Sequence, residues 1–122
     1  ITGTLTSNTL FSEILEATFP MGSMTGAPKK RVMETIDALE PTKRGLYSGT
    51  VGYFNPNGDF DFNVVIRSIF YNGTTADASY QVGGGITIYS DPEKEYDECL
   101  LKAAAIKKVL SNNNSVTVEP LQ

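Results

Sequence analysis

The sequence predicts an α+β fold, an antiparallel sheet packed with helices. Two features point there first. Apolar residues recur at helical spacing in two early segments and one late one, and between them lie runs of aromatic and β-branched residues of strand length. Asn, Gly and Pro clusters then punctuate the middle of the chain at hairpin-sized intervals. Helices at both ends with consecutive strands between them favour α+β over an alternating βαβ order.

The elements follow in order. Thr2 to Thr6 alternates weakly and reads as a strand end. Ser7 to Thr18 sets Leu10, Phe11, Ile14 and Leu15 at helical spacing, with Ser7 as its cap and Pro20 and Gly22 as its stop. Gly22 to Pro28 reads as a loop. From about Pro28 to Leu39 a helix is expected, with Val32, Met33, Ile36 and Leu39 as its buried stripe. Proline suits a helix start because its missing N–H is not needed there. Ser48 to Phe54 and Asp59 to Tyr71 read as two strands of a hairpin around Asn55-Pro56-Asn57-Gly58. Asn72-Gly73 turns into a third strand, Ala78 to Tyr89, interrupted by Gly83-Gly84-Gly85. Asp91-Pro92 opens a long helix ending near Leu110. A loop and a short strand, Val116 to Val118, finish the chain.

Composition narrows the function. The chain has 122 residues, 40% hydrophobic and 20% charged, with six Phe and six Tyr, so a core is possible and disorder is disfavoured. The net charge is −4, and Lys29-Lys30-Arg31 is the longest basic run, which argues against a nucleic-acid partner. No apolar stretch approaches the ~18 residues of a membrane span. A single cysteine, Cys99, rules out an internal disulfide framework and a cysteine-based zinc site, and fits a reducing cytoplasm. The opening Ile1-Thr2-Gly3-Thr4 lacks the charged and apolar regions of a signal peptide and reads as the middle of a longer chain. Histidine is absent, so imidazole chemistry must come from elsewhere.

Several residues invite a chemical reading. On the last helix Tyr96, Cys99, Leu100, Ala103, Ile106 and Leu110 share one arc, while Glu95, Glu98 and Lys102 fall in an adjoining arc of roughly 60°. Two carboxylates one turn apart suit a hard divalent cation such as Mg²⁺. A solvated acidic face with a Glu98–Lys102 ion pair is the plainer alternative and leads on the helix alone. Arg67, between apolar neighbours, is an edge residue, a partner of Asp61, or a fork for a carboxylate. The Gly83 to Gly85 run weakens a strand; it is either a bulge or a place where backbone approaches a ligand. Gly22 to Lys29 fails the phosphate-loop spacing. Tyr47 is core or hydroxyl donor.

Taken together, Gly22-Ser-Met-Thr-Gly-Ala-Pro-Lys29, Arg44-Gly-Leu-Tyr47, Ile66-Arg67-Ser68, Val82-Gly-Gly-Gly-Ile86 and Ser90-Asp-Pro-Glu-Lys-Glu-Tyr-Asp-Glu98 resemble the C-terminal signature of the chorismate-binding enzymes. The resemblance runs from Thr2 to about Lys108. Within the family it leans to the aminodeoxychorismate synthase component I branch, through the Val-Gly-Gly-Gly-Ile form and Gly58-Asp-Phe-Asp-Phe-Asn63; anthranilate synthase component I is the alternative, and a stand-alone interaction module the non-enzymatic one.

The resemblance implies roles. Glu98 would ligate Mg²⁺ directly and Glu95 through water. Arg67 and Tyr47 would hold the enolpyruvyl carboxylate of chorismate, with help from the backbone of Gly83, Gly84 and Gly85. Lys102 would sit near a substrate carboxylate, and Ser23 would touch the ring side. It also implies a glutamine amidotransferase (glutaminase) partner supplying ammonia, a cytoplasmic place in p-aminobenzoate and folate synthesis, and a lysine nucleophile upstream of this chain. Residues 1–122 would then be the C-terminal portion of a larger chorismate-binding domain. Alone the chain is expected to be inactive and, with sheet edges and apolar surface open, to self-associate.

Overall fold

The computed structural model describes residues 2–111. The element order is α1 Phe11–Thr18, α2 Gly22–Thr25, α3 Lys29–Leu39, β1 Thr50–Phe54, β2 Phe60–Val64, β3 Phe70–Asn72, β4 Asp77–Ser79 and α4 Pro92–Ser111. The class is α+β, as the sequence predicts. The expected last strand, Val116 to Val118, lies outside the described residues.

α1 begins four residues later than its apolar spacing suggests, and Ser7 does not cap it. Thr6 to Thr9 closes a turn, with Thr9 N–H donating to the Thr6 carbonyl at 3.1 Å. Leu10 stands at the N-cap without a side-chain oxygen, and Glu13 compensates by accepting the Leu10 N–H at 2.7 Å. Gly22 to Thr25, expected as loop, forms one helical turn closed by Gly26 N–H on the Gly22 carbonyl at 2.7 Å. α3 runs as expected with Pro28 at its N-cap. Its apolar stripe is half-covered at best; Leu39 is 76% exposed.

β1 and β2 form an antiparallel hairpin, pairing Thr50 with Val64 and Phe54 with Phe60. The turn closes by Gly58 N–H on the Asn55 carbonyl at 2.9 Å. On one face Phe54, Phe60 and Phe62 gather around Phe11 of α1, with ring centroids 4.6 to 5.1 Å from it. That edge-to-face packing fastens α1 to the hairpin. Gly52 faces Phe62 across the ladder, and a Cβ there would collide with the Asp61 carbonyl oxygen and meet the Phe62 ring at 2.5 Å.

The expected three-stranded sheet is replaced by two separate hairpins. β2 stops at Val64, and Val65 makes the last ladder bonds, accepting Ser48 N–H at 2.9 Å and donating to the Gly49 carbonyl at 3.0 Å. Its partner strand turns away there, because Ser48 takes a left-handed conformation at φ 63°. Arg67 is left-handed too, at φ 52°, which no strand accommodates. The third strand shrinks to Asp77–Ser79, paired with Phe70–Asn72; from residue 80 to 90 the backbone has no ladder partner among the described residues.

α4 has a well-made start. Asp91 accepts the Lys94 N–H at 3.1 Å, Pro92 opens the first turn, and Glu93 and Glu95 lie where the helix dipole favours anions. Ala103, Ile106 and Leu110 of its apolar arc are buried, with Val65, but Tyr96 stays 64% exposed. Among the described residues, close backbone packing between elements joins β1 to β2, β3 to β4 and α2 to α3; α1 meets the hairpin through the Phe11 side chain, and α4 rests on the 80–90 segment. Because Gly52 has no room for a methyl group, Gly52→Ala is expected to lower stability by about 1–3 kcal/mol. Denaturant unfolding checks this, and an unchanged midpoint would contradict the close approach.

Candidate functional site

The glycine run and the acid face of α4 meet. Lys102, at the third turn of α4, donates from Nζ to the Gly83 carbonyl at 3.1 Å. A Cβ on Gly83 would stand 3.0 Å from the Tyr47 hydroxyl, and one on Gly84 would stand 3.0 Å from Glu95 Oε2 and 3.9 Å from Cys99 Sγ. Nothing crowds Gly85. So the backbone of Gly83 and Gly84 passes between Tyr47 and Glu95. At these two positions glycine leaves room for neighbouring protein side chains to come close.

Each side chain is held from its own element. Ser90, just before α4, donates from its hydroxyl to Glu95 Oε1 at 2.8 Å. Glu98 pairs with Lys102 at 2.6 Å, one turn away. Tyr47 lies in consecutive turns, Tyr47 N–H on the Arg44 carbonyl at 2.9 Å and Gly49 N–H on the Leu46 carbonyl at 3.0 Å. Burial is the main cause that raises the Tyr47 hydroxyl above the ordinary phenol range, with the Arg44 charge pulling it back. The hydrogen bond that Lys102 donates to Glu98 is the main cause that raises Lys102 above the usual ammonium range. At neutral pH Tyr47 is therefore a hydroxyl donor and Lys102 an ammonium.

The structure thus brings together Tyr47, Gly83, Gly84, Glu95, Glu98 and Lys102. Arg67 and Ser23 make no side-chain hydrogen bond to this group among the described residues. Arg67 is exposed, left-handed, and makes no hydrogen bond or ion pair with the described residues; the alternative of an Asp61 partner is not realised. Ser23 is exposed in α2. A concavity of about 410 Å³ opens between α3 and residues 40–49, with Tyr47 and Arg44 on its wall. Glu95 and Glu98 do not line it; Glu95 is half-buried against Ser90 and Gly84, and Glu98 is exposed.

For a divalent cation the donors fit in kind. Glu95 and Glu98 offer carboxylate oxygens one turn apart, and Mg²⁺ is commonly held by one or two carboxylates with water and substrate completing its shell. No cluster of three acidic, Cys or His side chains that would form an all-protein cage occurs among the described residues.

Two participants were missed in the sequence. Ser90 orients Glu95, and a serine ahead of Asp91-Pro92 is a helix-start signal that would have flagged it. Arg44 clasps Glu40 through Nε at 2.8 Å and Nη2 at 2.6 Å, a spacing of four that hints at a pair.

The family described as chorismate binding enzyme matches residues 1–108. A probable aminodeoxychorismate synthase, chloroplastic, of Oryza sativa subsp. japonica is 48% identical over 121 residues, covering 98% of this chain and 13% of that protein. Aminodeoxychorismate synthase component 1 of Bacillus subtilis is 47% identical over 105 residues, covering 86% of this chain and 22% of that protein. Anthranilate synthase component 1 of Cereibacter sphaeroides is 48% identical over 94 residues, covering 77% of this chain and 18% of that protein. The chain therefore spans less than a quarter of the length of these curated relatives. With the family matched over nearly all of its length, the chain belongs to the chorismate binding enzymes.

Proposed function

We propose that this chain supplies the carboxylate-binding wall and part of the magnesium site of an aminodeoxychorismate synthase component I. Such an enzyme would replace the C4 hydroxyl of chorismate with an amino group, using ammonia from a glutaminase partner, on the way to p-aminobenzoate and folate in the cytoplasm. The observation that carries the reading is the convergence of Tyr47, the Gly83–Gly84 backbone and Lys102 beside the Glu95/Glu98 pair. Donors for an anion and oxygens for a cation stand side by side, which is what a dicarboxylate substrate needs.

In this reading Glu98 holds Mg²⁺ directly and Glu95 through water. When bound, the metal supplies positive charge that neutralises a substrate carboxylate. Tyr47, a protonated hydroxyl whose pKa burial raises further, would donate to the enolpyruvyl carboxylate. Arg67 offers the same carboxylate a guanidinium fork that no neighbour occupies among the described residues, and its left-handed backbone is the kind of strain that functional positions retain. The backbone of Gly83 to Gly85 lines the carboxylate, Lys102 adds charge, and Ser23 meets the ring side. The attacking lysine belongs to another part of the enzyme, so the chain alone is inactive. Relatives named for aminodeoxychorismate synthesis in rice and Bacillus support this branch. The relative at 48% identity named anthranilate synthase component 1 keeps that product as the second reading.

In the full-length enzyme, Glu98→Gln is expected to lower Mg²⁺-dependent turnover by more than about 100-fold, beyond the usual cost of losing an outer-shell partner. Steady-state assay across Mg²⁺ concentrations checks it, and unchanged turnover would remove Glu98 from the metal shell. Incubated with chorismate, ammonia and Mg²⁺, the full-length enzyme is expected to yield aminodeoxychorismate; anthranilate as the product would favour the second reading. In isolation the chain is expected to self-associate, because Ile88 and Tyr89 are 92% and 94% exposed beside backbone with no ladder partner among the described residues. Light scattering showing a clean monomer at high concentration would contradict that.

A further inference from the structure

We propose that Arg44 is a positioning residue of the substrate site, fixing Tyr47 and the Ser23 turn relative to each other without touching substrate. The proposal rests on the reading of Tyr47 and Ser23 as substrate contacts given above. It comes from where the guanidinium spends its hydrogen bonds. Nε and Nη2 hold the two carboxylate oxygens of Glu40, just past the end of α3. Nη1 donates to the Met24 carbonyl at 2.9 Å, twenty residues away in sequence, and to the Ser48 hydroxyl at 3.4 Å. The guanidinium carbon lies 5.9 Å from the centre of the Tyr47 ring, within cation–π range.

Every nitrogen of Arg44 is engaged, so it has no fork left for a ligand. Arg67, which makes no such bonds among the described residues, is the opposite case. What Arg44 joins is informative. Met24 follows Ser23 in the single turn of α2, whose last carbonyls have no helical partner. Ser48 follows Tyr47 and is 6% exposed, with its N–H on the Val65 carbonyl. Arg44 therefore ties α2 on one side to the Tyr47 turn on the other, with Glu40 as the fixed post. Its plane bounds the Tyr47 ring on one side while Gly83 bounds the hydroxyl end. Lysine cannot replace it, because a single ammonium lacks the planar fork that reaches Glu40 and Met24 together.

The test is a double-mutant cycle on the full-length enzyme with chorismate as the varied substrate. Arg44→Lys is expected to raise KM for chorismate about tenfold while kcat per folded enzyme changes less. Tyr47→Phe is expected to raise KM by itself. In the Tyr47→Phe background Arg44→Lys should then add clearly less than tenfold, because only the Ser23 side of what it positions remains. Glu40→Gln, which keeps Arg44 and loosens its post, is expected to raise KM about threefold with the same dependence on Tyr47. A purely structural role would lower the folded fraction and kcat equally in both backgrounds and leave KM alone, and that outcome overturns the proposal. Additive effects of Arg44→Lys and Tyr47→Phe overturn it as well. An unchanged KM in Tyr47→Phe overturns the reading of Tyr47 and this proposal together, whereas a raised KM there with Arg44→Lys silent overturns this proposal alone.

Discussion

The passage of the Gly83–Gly84 backbone between the Tyr47 hydroxyl and the Glu95 carboxylate depends on two side chains being hydrogen atoms. Much else is arranged around it. Lys102 reaches the Gly83 carbonyl only because the backbone comes that close to α4, and Glu98 is then held by Lys102. Ser90 turns Glu95 towards the same side. An exposed Glu–Lys pair one turn apart contributes only a few tenths of a kcal/mol, so the pair does little for the fold. Its value lies in keeping a positive and a negative group near one spot.

The opposite side of Tyr47 is governed by a different logic. There the groups are saturated: Arg44 is shared among Glu40, Met24 and Ser48, and Ser48 is buried. Saturated, half-buried bonds make a rigid wall, and unsaturated exposed groups make a receptive one. Tyr47 stands at the seam between the two. That placement explains why it borders a concavity on one side and the glycine run on the other.

Periodicity made α3, the β1–β2 hairpin and α4 legible, since each repeats its apolar positions over enough residues to set a face. The arc of Glu95, Glu98 and Lys102 was legible for the same reason. Strand lengths were not. Alternation continues past Val64 in the sequence, but a strand exists only while a neighbour supplies hydrogen bonds, and that neighbour ends where Ser48 turns left-handed. Arg67 reads as a strand residue by its apolar flanks and is a bend instead. The nearness of Gly83 to Tyr47 and of Arg44 to Met24 links residues far apart in the chain, and no local pattern encodes such distances. The family resemblance placed Tyr47 and the glycines at one substrate carboxylate without revealing how closely the Tyr47 hydroxyl approaches Gly83. Apolar spacing also overstated burial, since Leu39 and Tyr96 sit on predicted apolar faces yet remain largely exposed.

The glycine run has a consequence at the level of inheritance. Any amino-acid replacement reached by a single-base change in a glycine codon brings a Cβ. At Gly83 and Gly84 that carbon would press on the far ends of two side chains, Tyr47 and Glu95, rather than on backbone. Glu95 ends a flexible side chain that swings aside cheaply, so the fold would absorb the change at Gly84. The group that swings is one proposed here to stand at the metal site. A variant of this kind would accumulate to normal levels and escape any screen based on abundance, while its defect would show only in chemistry.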